Sequence, residues 1–157
     1  MSTLSVTAQA ALNAYLTYTA AERPGQANLV RPFTNFNRKA THNASSTVPA
    51  TKIFVDTFNG NQSIDLTSLD DPEQETIDGT GLKVQFILVA VNTAHDVTIS
   101  DGAANAYSLN GGSDIVVEGS GYVLLYFADG LADIAAGAKA IDFTTSSTDY
   151  DVMIVMG

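Results

Sequence analysis

The chain has no cysteine, no tryptophan, only two histidines and few bases outside its first third. Without cysteine there is no disulfide framework, no thiolate metal site and no cysteine nucleophile. Without tryptophan, the broadest aromatic platform for a sugar ring is missing. His42 and His95 are far apart in sequence, and no Gly-x-Ser-x-Gly elbow occurs, so serine-type catalysis is not expected. Long apolar runs are also lacking. The longest, Val84–Val91, is interrupted by Gln85 and falls far short of the ~20 residues of a membrane-spanning helix. The first residues, Met1-Ser2-Thr3-Leu4-Ser5, lack the charged and apolar regions of a signal peptide. The expectation is a soluble chain with no membrane partner.

The scarcity of bases is local. Residues 53–157 hold Lys83 and Lys139 against sixteen acids, a net of −14, whereas residues 1–52 hold Arg23, Arg31, Arg38, Lys39 and Lys52 against Glu22, a net of +4. A basic leader therefore precedes an acidic body. Phosphates are held by Lys and Arg, so nucleic acid is not expected to bind through that body. The leader should lie against an acidic surface, such as the body of a neighbouring copy.

Val, Ile, Thr, Tyr and Phe are plentiful, with Gly and Asn between the apolar runs, which favours strands. A chain of 157 residues suits one domain with an appendage, and at this size folding buries about 70% of the unfolded surface without metals or disulfides. Ala8, Ala11, Leu12, Tyr15 and Leu16 recur at three- and four-residue spacing before Pro24-Gly25, which predicts a short helix. From Gly25 to Ala50 no period is sustained, and Pro32, Pro49 and several Asn interrupt the segment. Residues 1–50 are read as an extended arm and assembly segment. Its candidate contact residues are Leu12, Tyr15, Leu16, Arg23, Leu29, Val30, Arg31, Phe33, Phe36, Arg38 and Lys39, apolar or basic side chains that nothing local can bury.

Residues 51–157 read as a β-sandwich domain of eight or nine short strands. Asn59-Gly60 signals a hairpin turn between Ile53–Phe58 and a return strand at Ile64–Thr67. The apolar run Leu82–Val91 predicts a strand buried on both faces. The closing run Tyr150–Met156 has apolar residues on both faces and is expected at the centre of its sheet. No helical segment separates the strands, so the fold class is an all-β antiparallel sandwich, with a jelly roll as one form of it.

Asp70, Asp71, Glu73, Glu75 and Asp78 form the densest acidic group, but their spacing does not match a calcium-binding EF-hand loop. A solvated loop is expected, with no metal and no cofactor. Gly111-Gly112 and Gly119-Ser120-Gly121 have acids beside them, which would repel a phosphate, so they are read as turns needing positive φ. Tyr107, Tyr122, Tyr126 and Tyr150 are read as core or subunit-interface residues.

From Lys52 onward, the order of several short motifs resembles a group of small structural proteins of tailed phages and prophages. The segments are Lys52-Ile53-Phe54-Val55-Asp56, Ile64-Asp65-Leu66-Thr67-Ser68-Leu69, Thr80-Gly81-Leu82-Lys83-Val84, Tyr122–Phe127 and Tyr150–Gly157. The resemblance implies a virion protein, most plausibly a capsid-decorating one, assembled in the host cytoplasm. Its partners would be the capsid lattice and further copies of itself in a homo-oligomer. It brings no catalytic residues, and no enzyme activity is expected. The alternatives are a carbohydrate- or receptor-binding module of a fibre, or a tail or connector component.

Overall fold

The structure, a computed structural model, describes residues 5–18, 29–43, 45–70, 76–146 and 149–157. Two units emerge, a ribbon Thr7–Thr41 and a body that contains His42–Gly157. The ribbon is formed by β1 (Val6–Tyr18) and β2 (Leu29–His42), paired as a two-stranded sheet. The Thr7 and Thr41 hydroxyls meet at its base, 3.1 Å apart. Val6–Tyr18 is thus a strand where a short helix was expected. The stripe Ala8, Ala11, Leu12, Tyr15, Leu16 is narrow, and Val6, Thr7, Tyr15, Thr17 and Tyr18 in the same segment favour a strand. Pairing with β2 gives one edge of this strand hydrogen-bond partners that an isolated marginal helix would lack.

The body contains β3 (Lys52–Asn59), β4 (Gln62–Asp65), β5 (Leu69–Asp70), β6 (Thr76–Ile77), β7 (Val84–Val91) and β8 (Val97–Asp101). It ends with β9 (Ile115–Val117), β10 (Tyr122–Tyr126), β11 (Ala140–Thr145) and β12 (Asp149–Met156). No helix occurs among the described residues. β5 and β6 form a small ribbon of their own. The other eight strands pair from the outside inward: β3 with β12, β4 with β11, β7 with β10 and β8 with β9, all antiparallel. First pairs with last, so the body is one long antiparallel hairpin rolled up on itself. The rolling adds two further contacts, β12 with β7 and β11 with β8. Two four-stranded sheets result, β10-β7-β12-β3 and β4-β11-β8-β9. This nested connectivity is the jelly roll.

The Asn59-Gly60 turn does not close a hairpin. Gly60 has the expected positive φ of 77°, yet β3 and β4 lie in different sheets. Turn chemistry reports the local reversal, whereas the partner of β3 is set by the apolar face it shares with the distant β12. The Gly119-Ser120-Gly121 turn also differs from expectation, because the positive φ falls on Ser120, at 59°. Gly119 is needed for another reason: a Cβ there would lie 2.3–2.8 Å from the Ala94 backbone.

The two sheets bury one apolar core between them. From the first sheet come Phe54, Ile87, Val89, Val152, Ile154 and Met156; from the second come Ile64, Val97, Ile99, Val117, Ile141 and Phe143. β12 lies between β7 and β3, so the closing strand is central in its sheet. Tyr107 lies in the long β8–β9 connection and is 1% exposed. Its hydroxyl donates to the Ala132 carbonyl at 2.6 Å and accepts from the Val84 N–H at 3.3 Å. Tyr107→Phe therefore leaves two backbone groups short of a partner, one of them buried. It should cost about 1–3 kcal/mol and lower the thermal midpoint by several degrees. Thermal denaturation of the variant checks this.

Tyr150 is fully buried and stacked on Phe143, with ring centroids 5.7 Å apart. Burial pushes its phenol up to about 12. The group is more easily ionised in the unfolded chain, so its contribution is complete below about pH 10. It is lost as pH rises through about 12. Subtracting the alkaline absorbance titration of Tyr150→Phe from that of the intact chain should isolate a phenol that ionises only as the fold is lost. A phenol titrating near pH 10 in the folded protein would contradict its burial.

Candidate functional site: the outer face of one sheet

Each sheet turns one face to the core and one outward, and the two outward faces differ in chemistry. On β4-β11-β8-β9 the outward residues are polar except Val116 and Ala140. Asp142 sits between Ser63 and Ser100, and Thr98 between Thr144 and the apolar Val116. Asp142 accepts from the Ser63 hydroxyl at 2.6 Å and from the Ala103 N–H at 2.9 Å. This is an ordinary solvent face.

The outward face of β10-β7-β12-β3 is apolar over two complete rows. The register aligns Leu124, Leu88, Met153 and Val55 in one row. The next holds Tyr126, Phe86, Val155 and Ile53. A third row, Tyr122, Ala90, Asp151 and Thr57, turns polar toward β3. There Asp151 accepts from the Thr57 hydroxyl at 2.7 Å and from the Asn92 amide at 3.2 Å, while Asp149 accepts from the Asn59 amide. The face is thus an apolar band with an acidic end.

One end of the band is covered by the chain itself. Phe86 and Val155 are 3% and 0% exposed, although they point away from the core between the sheets. The His42 ring meets Phe86 edge-on at 5.3 Å, and Tyr126 stacks on Phe86 at 5.0 Å. His42 Nδ1 lies 2.8 Å from the Val48 carbonyl, which can only accept, so the proton is on Nδ1. In the neutral ring Nε2 then accepts from the Tyr126 hydroxyl at 3.4 Å. Gln85, fully buried, donates its amide to the same Val48 carbonyl at 2.8 Å. Residues 42–43 and 45–50 are therefore part of the body, folded over one end of this face.

The rest of the band is open. Leu88, Leu124 and Met153 are half-buried, while Val55, Tyr126 and Tyr122 are 44%, 44% and 76% exposed. Scattered apolar residues are normal on a surface; a contiguous band rimmed by polar groups marks an interaction surface. It has no nucleophile and no ligand set; what it can do is bury itself against another apolar surface. Sequence reading grouped the four tyrosines, and the structure divides them: Tyr107 and Tyr150 are core, Tyr122 and Tyr126 belong to this face.

Of the expected arm residues, Leu12, Tyr15 and Leu16 lie on β1, and Leu29, Val30, Arg31, Phe33, Phe36, Arg38 and Lys39 lie on β2. The ribbon therefore brings the two groups onto paired strands. Arg23 lies outside the described residues, as do Asp71, Glu73 and Glu75 of the acidic loop. Among the described residues no three His, Asp or Glu side chains converge as a metal site.

A second feature was missed in sequence. His95 Nδ1 lies 3.3 Å from the Ser146 hydroxyl, across 51 residues, in an open cleft of about 480 Å³ lined also by Asn61, Asp96, Thr98 and Thr144. A serine–histidine pair needs a third group to orient the ring. Asp96 spends one carboxylate oxygen on the Gly119 N–H at 2.9 Å, and both His95 and Ser146 are exposed. Among the described residues no carboxylate is hydrogen-bonded to the His95 ring to orient it.

The body is thus a jelly-roll sandwich with one polar outer face and one outer face that is partly open and apolar. No family model, curated protein or solved structure matches the chain.

Proposed function

We propose that the chain is a structural protein of a virus particle, a head-associated decoration protein that holds to the capsid lattice and to neighbouring copies. The observation that carries this reading is the difference between the two outer faces. A lone sandwich has no use for the apolar row that stays open outside its core, whereas a lattice protein needs one such face and one solvent face. Jelly rolls serve as capsid domains and also as lectins, so the fold by itself does not decide between them. The acidic body adds support: it keeps a densely arrayed protein soluble and repels nucleic acid. The ordered resemblance of the body motifs to phage structural proteins points the same way.

Purified particles of the virus or prophage that encodes the chain should contain it in many copies. An antibody to the polar face around Thr98 and Asp142 should label the outside of intact heads. Absence of the protein from purified particles, or labelling confined to the tail, would overturn the proposal.

A further inference from the structure

We propose that the β1–β2 ribbon of one copy docks on the open apolar band of the β10-β7-β12-β3 sheet of a second copy. This deepens the assembly reading above and rests on it for its biological role.

The first observation is the band itself. In the single chain Val55, Tyr126 and Tyr122 stay 44–76% exposed, with Leu88, Leu124 and Met153 half-buried beside them. The second is the ribbon. Its strands of 13 and 14 residues are longer than any strand of the body, where the longest has 8. At about 3.3 Å per residue it spans roughly 40 Å. A two-stranded ribbon is marginal in water unless a further surface supports it. The ribbon sequence supplies apolar residues for that purpose, Leu29, Val30, Phe33 and Phe36 among them.

The third observation is charge. Residues 7–41 hold Arg23, Arg31, Arg38 and Lys39 against Glu22, a net of +3, whereas residues 42–157 hold three lysines against sixteen acids, a net of −13. The acidic end of the band, at Asp149 and Asp151, gives a basic ribbon a preferred orientation. Opposite charges at the rim speed encounter and reject wrong registers. The four strands of the sheet span about 15 Å, which accommodates a two-stranded ribbon laid across them. A second copy fits better than a foreign protein, because the complementary surface is already encoded in the same chain.

The chain has no cysteine, so engineered thiols report without background. One full-length chain carries Val55→Cys, and a second, distinguishable by a tag, carries Leu29→Cys, Phe33→Cys or Phe36→Cys. Mixed and gently oxidised, at least one ribbon position should form a disulfide with Val55→Cys on the other chain. That bond should be lost when Arg38→Glu and Lys39→Glu are added to the ribbon chain, and weakened by salt. Sedimentation of the unmodified protein should show self-association.

A purely monomeric protein would overturn the proposal. So would disulfides formed only between two Val55→Cys chains, or only when both cysteines are in one chain. The first pattern means the bands meet face to face, the second that the ribbon lies on its own body. These outcomes concern the purified chain alone, so a failure here is separable from a failure to find the protein in virions.

Discussion

Ile154→Asp should give no soluble folded protein. Ile154 is fully buried at the middle of β12, between Phe54 on β3 and Ile87 on β7. A carboxylate there has no cation among the described core residues, and the two tyrosine hydroxyls of the core already donate to backbone carbonyls. Burying an unpaired charge, or protonating it to avoid that, costs several kcal/mol. The loss of packed aliphatic volume adds about 2 kcal/mol or more. Together these approach the whole stability of a small domain, roughly 5–15 kcal/mol. The neighbouring residue provides the contrast. Met153 faces outward and is half-buried, so Met153→Glu should fold, with a β circular-dichroism spectrum like that of the unmodified chain, while losing self-association. A single step along the strand thus separates folding from assembly. If Ile154→Asp folds and Met153→Glu does not, the two faces of this sheet have been assigned the wrong way round.

Removing residues 1–41 should leave the body folded, whereas removing 1–50 should destabilise it strongly. The longer deletion takes away the segment that covers Phe86, Val155 and Gln85. Gln85 loses the Val48 carbonyl, and its amide Oε1 already lacks a partner among the described residues. Once uncovered, the amide exchanges that bond for water, a net loss of about 1 kcal/mol. Uncovering part of two large apolar side chains adds a similar amount. The Gly157 backbone also packs against the Pro49 carbonyl, where a Cβ at 157 would clash. Residues 48–50 therefore hold down the end of β12 as well. Urea denaturation of the two truncated proteins should show a clearly lower midpoint for the shorter one. Failure of the chain lacking 1–41 to fold would mean that the ribbon is part of the folding unit.

Much of the architecture was legible because the body strands carry two signals at once. The apolar runs marked β7 as a strand buried on both faces and β12 as the centre of its sheet, and turn residues marked the breaks between strands. Their partners were not legible. Asn59-Gly60 reads locally as a hairpin turn, but β3 pairs with β12, about ninety residues on. Such pairing is fixed by shared faces and not by turns, and a rolled hairpin hides it from any short window. The ribbon was misread for the opposite reason. Three- and four-residue spacing over a Thr-rich segment also fits a strand whose pairing supplies the stability that helix propensity does not. The apolar outer face was half legible. The runs on β7 and β12 were read as covered on both sides, and only register shows that Leu88 and Met153 join Leu124 and Val55 in a row left open. The His95–Ser146 pair gave no sequence signal, since the two residues are joined only by the packing of β8 against β11.

The most direct test of the proposed head role is a density map of purified intact particles that contain this chain. It should show eight-stranded sandwiches on the outside of the head, each with the β10-β7-β12-β3 face turned onto a neighbour and the Thr98–Asp142 face to solvent. Particles without such sandwiches, or sandwiches with the apolar band facing water, would contradict the assignment of this face to assembly.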